Sequence, residues 1–592
     1  MLGEIAKPVS SLGAIVEGMV KSAMSVALPP TFPNADPEIR RSERADFQVN
    51  GMMSIAKKLG VNPRVLAGDV VEKIKLQDQF ATFEVAGPGF INVTLSDQAI
   101  LSQVAFRLGD DRLGCPTASK NKTIVIDYSQ PNIAKEMHVG HLRSTIIGDS
   151  LARVLTFRGH KVIRQNHLGD WGTQFGMLIQ YLLENEEINP TKETSTEKVS
   201  SDISDLNRMY RAARELFDSD PEFVQRSRKR VVSLQAGDEE TIDHWNAIVA
   251  ESKRYFRQVY DRLNVLLTEE DAVGESFYNS MLDEVALDLE ARNVAVRSQG
   301  ALCVFFDDIV GPDGNQVPLI VQKADGGYGY ATTDLAAIRY RAKTLQADVI
   351  LYVVDSRQAL HFKMVFEAAR RAGYIDDKVV VSHVSFGSVL GPDGRPFKTR
   401  AGDVVRLIAL LDDAVDRARQ TILEKNPDLG EGEALLLARE VGIGAVKYAD
   451  LSTSRTRDYI FDVDRMLSLQ GNTGAYLQYA HARICSILNK FSSSPPIVRD
   501  DVVMEPPERR LALLVDGLPD VLAAVEETSE PHKLASYLYE LAHTFTTFYE
   551  QCPVLRAPSE TIRQNRVALC ELTAKTLELG LHLLGIDAPN RL

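Results

Sequence analysis

The chain has no GxxxxGK[ST] phosphate loop, no His-Glu-x-x-His pair, and no C-x-x-C among Cys115, Cys303, Cys485, Cys552 and Cys570. These absences exclude a P-loop nucleotidase, the most obvious metalloprotease site, a zinc knuckle and a disulfide framework. The five thiols read as reduced cysteines of a cytosolic chain. No run of about 18 apolar residues occurs, so no membrane-spanning helix is expected. The start, MLGEIAKPVSSLGAIVEGMV, carries Glu4 and lacks the Arg-rich, acid-poor look of a transit peptide. Positive charge is also short: the formal net charge is −14. That argues against non-specific coating of nucleic acid, while leaving room for a local basic surface.

What is present is ordinary for a globular protein: 592 residues, 44% hydrophobic and 25% charged. That length is too great for one core and predicts about three domains. Residues 1–115 read as a small α+β unit, with helical patterns first. FATFEVAGPGFINVTLS (80–96) follows as two strands around Gly87-Pro88-Gly89. LGCPTASKNK (113–122) is a linker. TIVIDYS (123–129) is a β-branched strand. From about His141 a helix should place Leu142, Ile146, Ile147, Leu151, Val154 and Leu155 on one stripe. A further strand in HKVIRQNHLGDWGTQFG completes a βαβ unit. Strands and helices alternate again over 349–386. The charged stretch 184–300 reads as a helical insertion. GPDG at 311–314 and at 391–394 predicts two turns. From 403 the pattern is almost wholly helical, with a break at SSSPP (492–496).

His138 and His141 flank Gly140 at the join between the first strand and its helix. Packed core histidines, a metal site lacking its third ligand, and a phosphate site all fit two imidazoles there. The position favours phosphate. A helix N-terminus after a βαβ strand points N–H groups and partial positive charge at the crevice. Gly140 removes a Cβ, so a nucleotide can lie against the backbone, and imidazoles can donate to a phosphate whose charge rises during reaction.

His138-Val139-Gly140-His141 resembles the "HIGH" signature of class I aminoacyl-tRNA synthetases, which nucleotidyltransferases share. The wider run SQPNIAKEMHVGHLRSTIIGD (129–149) resembles arginyl-tRNA synthetases specifically. So do HLGDWGTQFG (167–176), YATTDLAAIRYR (330–341), SRQALHF (356–362), AYLQYAHARI (475–484) and LGIDAPNRL (584–592). The resemblance covers essentially the whole chain. It implies an α/β class I Rossmann-type catalytic domain at 120–402, a small α+β N-terminal domain that touches tRNA at 1–115, and an α-helical anticodon-binding domain at 403–592. The implied reaction is ATP-dependent charging of tRNA(Arg) with L-arginine. ATP is a substrate accompanied by Mg²⁺, with no tightly bound metal or organic cofactor. A cytoplasmic monomer with no membrane partner is expected.

A guanidinium is planar, permanently charged and rich in donors, so it needs fixed carboxylates and planar acceptors. By resemblance Tyr330 and Asp334 contact the arginine side chain and Asp127 lines the same acidic pocket. Gln130, Asn132 and Gln358 resemble the positions that hold the amino acid's backbone ends, and His141 lies beside them. His138, Gly140 and His141 would meet ATP. The second class I signature, KMSKS, is missing. FKTRAG (397–402) stands in its place, so Lys398, with Arg400, and Lys135 are the expected sources of positive charge. Lys135, Lys398, His138 and His141 are then the catalytic set. From 470 to 592 there are 11 Lys+Arg and 15 Asp+Glu. Recognition of tRNA by that module would lean on stacking and hydrogen bonds to unstacked bases. By resemblance Tyr476, Tyr479, Ala480 and Arg483 lie among its contacts, although an aromatic stripe at helical spacing is also what a core presents. Arg40, Arg41, Arg44, Lys57 and Lys58 are candidate phosphate contacts or solvated charges. Two rival functions share features with this reading. A small-molecule nucleotidyltransferase would not need the helical module, and a non-catalytic tRNA-binding paralogue would be expected to lose His141, Lys135 or Asp334. A metallohydrolase is more distant.

Overall fold

A computed structural model describes residues 10–42, 44–74, 80–185, 203–310, 316–391, 393–395, 397, 405–491 and 495–592. Lys398, Arg400, the first GPDG turn and Ser492–Ser494 lie outside the described residues. The chain forms two compact units. One gathers residues up to 117, 429–441 and 467–592, and the other gathers 118–428 and 442–466. The helices expected to begin a separate module at 403 are therefore shared out. Leu407–Lys425 clusters with the strands that follow residue 118, while the N-terminal α+β part clusters with the C-terminal helices.

In the first unit β1 (Ile39–Arg41), β2 (Phe47–Val49), β3 (Ala81–Ala86) and β4 (Phe90–Leu95) form an antiparallel sheet in the order β1-β2-β4-β3. The hairpin expected at 80–96 is β3–β4, in register from Ala81 opposite Leu95 to Ala86 opposite Phe90. β1 and β2 are three residues each, too short to leave a period-2 signal. Ser11 and Ser96 cap the helices Leu12–Ala27 and Asp97–Leu108 by accepting N–H bonds. A buried ion pair ties the second of these to the C-terminal helix Pro506–Asp516. Arg107 Nη2 lies 2.7 Å from Asp516, which also accepts from Leu12 N–H (2.6 Å) and Gln103 Nε2 (3.0 Å). These added donors satisfy a carboxylate that would otherwise be costly to bury.

In the second unit β5 (Thr123–Asp127), β6 (Lys161–Leu168), β7 (Ala272–Gly274), β11 (Val349–Tyr352) and β12 (Val380–His383) form a parallel sheet in the order β12-β11-β5-β6-β7. Between β7 and β11, β8 (Val296–Ser298), β9 (Ala301–Val304) and β10 (Leu319–Gln322) make a separate antiparallel sheet. The order reverses between β5 and β11, and ligands of such sheets bind beyond the strand ends at that point. The insertion is helical over Ile203–Ser219, Pro221–Ala236 and Glu239–Arg262. It is not helical to 300, because β7 returns the chain to the main sheet and β8 starts the smaller one.

The helix after β5 runs from Val139 to Phe157 and is buried from Val139 to Leu155 except at Gly140 and His141. The expected apolar stripe is buried, and so are Arg143, Ser144, Thr145, Asp149, Ser150 and Arg153. These polar groups are paired internally: Arg153 with Asp149 (2.8 Å) and Arg143 with Asp450 (3.1 Å). Among the described residues no helix is long and apolar enough to cross a membrane.

Candidate active site

His138 is the N-cap of helix Val139–Phe157, two residues earlier than the sequence pattern places its start. Its Nδ1 accepts from Gly140 N–H (3.0 Å), and His141 Nδ1 accepts from His138 N–H (3.1 Å). Two imidazoles thus form a capping box, a task usually done by Ser, Thr and Glu. Burial, and then the Arg357 and Lys135 charges, hold His138 below the usual histidine range. Burial, with lesser effects from His138 and Lys135, pushes His141 down to about 3. Near neutrality both rings are uncharged. With Nδ1 accepting, each carries its proton on Nε2. The pair offers two fixed neutral donors, with ring centroids 4.0 Å apart. Gly140 has a reason beyond room for a nucleotide: a Cβ there would stand 2.7 Å from His138 Cε1.

The same strand end feeds the loop 128–137, whose backbone is left-handed at Ser129 (φ 76), Gln130 (φ 54) and Ala134 (φ 61). None is glycine, so each costs about 1–2 kcal/mol. The loop is fastened along its length. Ser129 N–H donates to Ser144 Oγ (2.9 Å), Gln130 N–H to Asn166 Oδ1 (3.0 Å) and Ile133 N–H to the Gly169 carbonyl (3.1 Å). Asn132 is exposed and lies against Gly169, where any Cβ would run into its Oδ1. Lys135 packs its Nζ 4.9 Å from the Tyr210 ring centroid.

β6, β7 and the helix Tyr330–Arg339 supply acids. Asp170 follows β6, and burial raises its carboxyl although Ser276 donates through N (2.8 Å) and Oγ (2.7 Å). Glu275 follows β7, and burial, with the neighbouring Asp170 and Asp334 charges, pushes it up to about 8. Asp334 Oδ2 meets His361 Nε2 at 2.5 Å. Tyr330 is 73% exposed at the start of the same helix, and Gln358 is exposed after β11. Arg357 is exposed next to it, clamped by Asp355 through Nε (2.8 Å) and Nη2 (2.9 Å). Burial therefore opposes ionisation of both Asp170 and Glu275, and the charges of Asp170 and Asp334 act on Glu275.

Asp127 departs from expectation. It is 2% exposed, and its Oδ2 lies 2.7 Å from Arg341 Nη2. Arg341 reaches it from a π-helical turn, Tyr340–Thr344, with its guanidinium 5.0 Å from the Tyr352 ring centroid. The charge of this carboxylate is thus matched inside the sheet by a buried guanidinium. Residues that the sequence reading passed over are Glu275, Asp170, His361 and Arg357. His361 and Arg357 stood inside a quoted motif. Glu275 stood in none, and only its neighbours give it away.

Lys398 lies outside the described residues, but the flanks of its segment are fixed. Gly394 N–H donates to the Gly391 carbonyl (2.9 Å), closing the expected turn. Beyond the segment, Val139 N–H donates to Val405 O (3.2 Å) and Leu407 N–H to Met137 O (2.9 Å).

In the other unit, helix Gly474–Leu488 turns Tyr479 (42% exposed) and Arg483 to its surface with half-buried Tyr476, while Ala480 is buried beneath. Arg483 stands 4.8 Å over the Tyr549 ring, and Tyr476 is 5.8 Å from Tyr539. Tyr537, Phe545 and Phe548 belong to the core. Arg41 is taken by the Leu513 carbonyl (2.8 Å), while Arg40, Lys57 and Lys58 are exposed.

Three family models match in order along the chain. They are the arginyl tRNA synthetase N-terminal domain over 14–95, the class I (R) tRNA synthetase catalytic domain over 103–463, and the DALR anticodon-binding domain over 477–592. The arginine–tRNA ligase of Streptomyces avermitilis is 54% identical over 588 residues, 99% of this chain and 100% of that one. The arginine–tRNA ligase of Escherichia coli is 46% identical over 592 residues, 98% and 100% of the two chains. Among solved structures, the arginyl-tRNA synthetase of Plasmodium falciparum superposes with a TM-score of 0.82 at 30% identity, covering 98% of this chain and 99% of that one. That of Thermus thermophilus gives 0.80 at 25% identity, covering 98% and 100%.

Proposed function

The chain belongs to the class I arginyl-tRNA synthetases, and on that footing we propose how its residues divide the work of an arginine–tRNA ligase. The observation that carries the proposal is the pairing, at one edge of one sheet, of a cluster of acids with a backbone-fixed pair of neutral imidazoles. Asp334, held by His361, receives the guanidinium of arginine together with Glu275, and Tyr330 lies along it. Gln130, Asn132 and Gln358 hold the amino and carboxylate ends, with His141 beside them. Asp127, bound to Arg341, is left out of the contacts.

A carboxylate oxygen of arginine attacks the α-phosphorus of ATP, and the bond to the pyrophosphate oxygen breaks. His138 and His141 donate from Nε2 to phosphate oxygens as charge builds, above the open backbone of Gly140. Lys135 and Arg357 add positive charge, and Lys398 is assigned the same task from the sequence alone. Mg²⁺ would arrive on the ATP. Among the described residues no group of three or more His, Cys, Asp or Glu is placed to hold an ion, so its ligands would be phosphate oxygens and water. In the second step a hydroxyl of the terminal adenosine of tRNA attacks the adenylate carbonyl and AMP leaves. Neither step needs a side-chain nucleophile, so catalysis is positioning and electrostatics. Tyr476, Tyr479 and Arg483 offer stacking and hydrogen bonds to tRNA, with Ala480 beneath them as support. Action as a single chain in the cytoplasm rests on the sequence alone.

Glu275 supplies the test. In the free enzyme it is half protonated near pH 8. An arriving guanidinium favours its carboxylate, so binding below that pH releases a proton. Arginine affinity should therefore rise from pH 6.5 toward 8 and level off above it. Intrinsic fluorescence can follow this, since the chain's two tryptophans, Trp171 and Trp245, stand 6.0 Å apart beside Asp170. Glu275→Gln should weaken binding and flatten the profile. A wild-type profile in that variant would remove Glu275 from the arginine contacts.

A further inference from the structure

The helix Glu239–Arg262 lies in the insertion, outside both the sheet and the site, yet three of its hydroxyls enter the substrate loop. Ser252 Oγ accepts from Ala134 N–H (3.0 Å), Tyr255 OH accepts from Met137 N–H (3.2 Å), and Tyr260 OH lies 2.8 Å from Ser129 Oγ. Tyr260 OH also accepts from Asn166 Nδ2 (2.9 Å), and it is Asn166 that accepts the Gln130 N–H. The neighbouring insertion helix Ile203–Ser219 adds Asn207 Nδ2 to Glu136 (2.9 Å) and the Tyr210 ring under Lys135.

Every strained residue of the loop is an attachment point, while Tyr255 adds one at the unstrained Met137. Ser129, Gln130 and Ala134 are the three left-handed residues of the loop. Ser129 is bonded directly to the helix through Tyr260, Gln130 is reached from Tyr260 through Asn166, and Ala134 is bonded to Ser252. Strain of this kind persists only where surrounding contacts over-determine it. The unstrained end of the loop is held as well, by Tyr255 at Met137 and by Asn207 at Glu136.

We propose that the Ser252–Tyr255–Tyr260 face of this helix is a positioning element for arginine, holding residues 129–137 in the turns that present Gln130 and Asn132. The inference rests on the assignment of Gln130 and Asn132 to the ends of arginine. It makes the insertion the backing of the substrate loop, so a displacement of that helix is felt at arginine before it is felt at ATP.

The test is steady-state charging of tRNA by the full-length enzyme, with arginine varied at saturating ATP and tRNA, then ATP varied. Tyr260→Phe removes one oxygen and keeps the ring. It should raise the arginine KM about tenfold, the worth of one well-placed buried hydrogen bond. The ATP KM and kcat should stay within about twofold. Ser252→Ala should act likewise, and adding Ala134→Gly should restore most of the loss, because glycine adopts φ near +60° without a Cβ penalty. If the hydroxyls served stability alone, Ala134→Gly would loosen the loop further and rescue nothing. Wild-type arginine KM in Tyr260→Phe, equal rises in both KM values, or failure of the rescue would each overturn the proposal. Asn132→Ala separates the premise from the inference. An unchanged arginine KM there would discard the loop's role in arginine binding, and the proposal with it.

Discussion

His141→Ala should lower adenylate formation by about 3–4 kcal/mol of transition-state stabilisation, the usual cost of losing one preorganised donor. The imidazole has two jobs, which a second variant separates. Its Nδ1 accepts the His138 N–H and so completes the cap, while its Nε2 is the proposed neutral donor to phosphate. His141→Asn keeps an oxygen where Nδ1 was and loses the donor. It should be about as inactive as the alanine variant while recovering most of the roughly 1 kcal/mol that a lost cap costs in stability. Pyrophosphate exchange in the presence of tRNA reads the first effect and thermal unfolding the second. Near-wild-type exchange in either variant would remove His141 from the chemistry. A loss of activity in proportion to unfolding would reduce it to a cap.

Asp334→Asn should raise the arginine KM about 10- to 100-fold, the range for a hydrogen bond to a charged group lost from a partly buried site. The side-chain shape survives, and His361 keeps a planar partner, so folding should be little changed. Substrate charge offers a further check. Citrulline, the neutral urea counterpart of arginine, should be discriminated less sharply by the variant than by the wild type, because only the charged ligand loses an ionic partner. An unchanged arginine KM would place the guanidinium elsewhere.

Much of the candidate site is legible along the chain because its residues are concentrated at strand ends and helix starts. The β5 join, His138, Gly140, His141 and the helix start at Tyr330 are local features, visible in runs of a few residues. Glu275 was not legible in this way. Its raised carboxyl arises first from burial and then from the charges of Asp170 and Asp334, more than 50 residues away on either side, which no short window contains. The ion pair of Asp127 was hidden for the same reason. Its partner Arg341 is over 200 residues on and reaches it only through a widened helical turn. The helix starts at Val139, two residues before the expected His141, a start hidden because histidine is not an expected N-cap. The boundary at 402 went astray because helical periodicity says that a helix buries a face, not which core receives it. The part that the insertion plays in the loop was not legible, because the partners of Ser252, Tyr255 and Tyr260 stand more than 100 residues away.

The account turns on a site that selects a permanent cation and activates it with ATP. The most direct measurement is charging of bulk tRNA by the purified enzyme, with ATP and each of the twenty labelled amino acids in turn. Arginine alone should be incorporated, with release of AMP and pyrophosphate, and incorporation should vanish when ATP is withheld. Incorporation of lysine at a comparable rate, or of any uncharged amino acid, would contradict the assignment of the Asp334–Glu275 acids to the guanidinium.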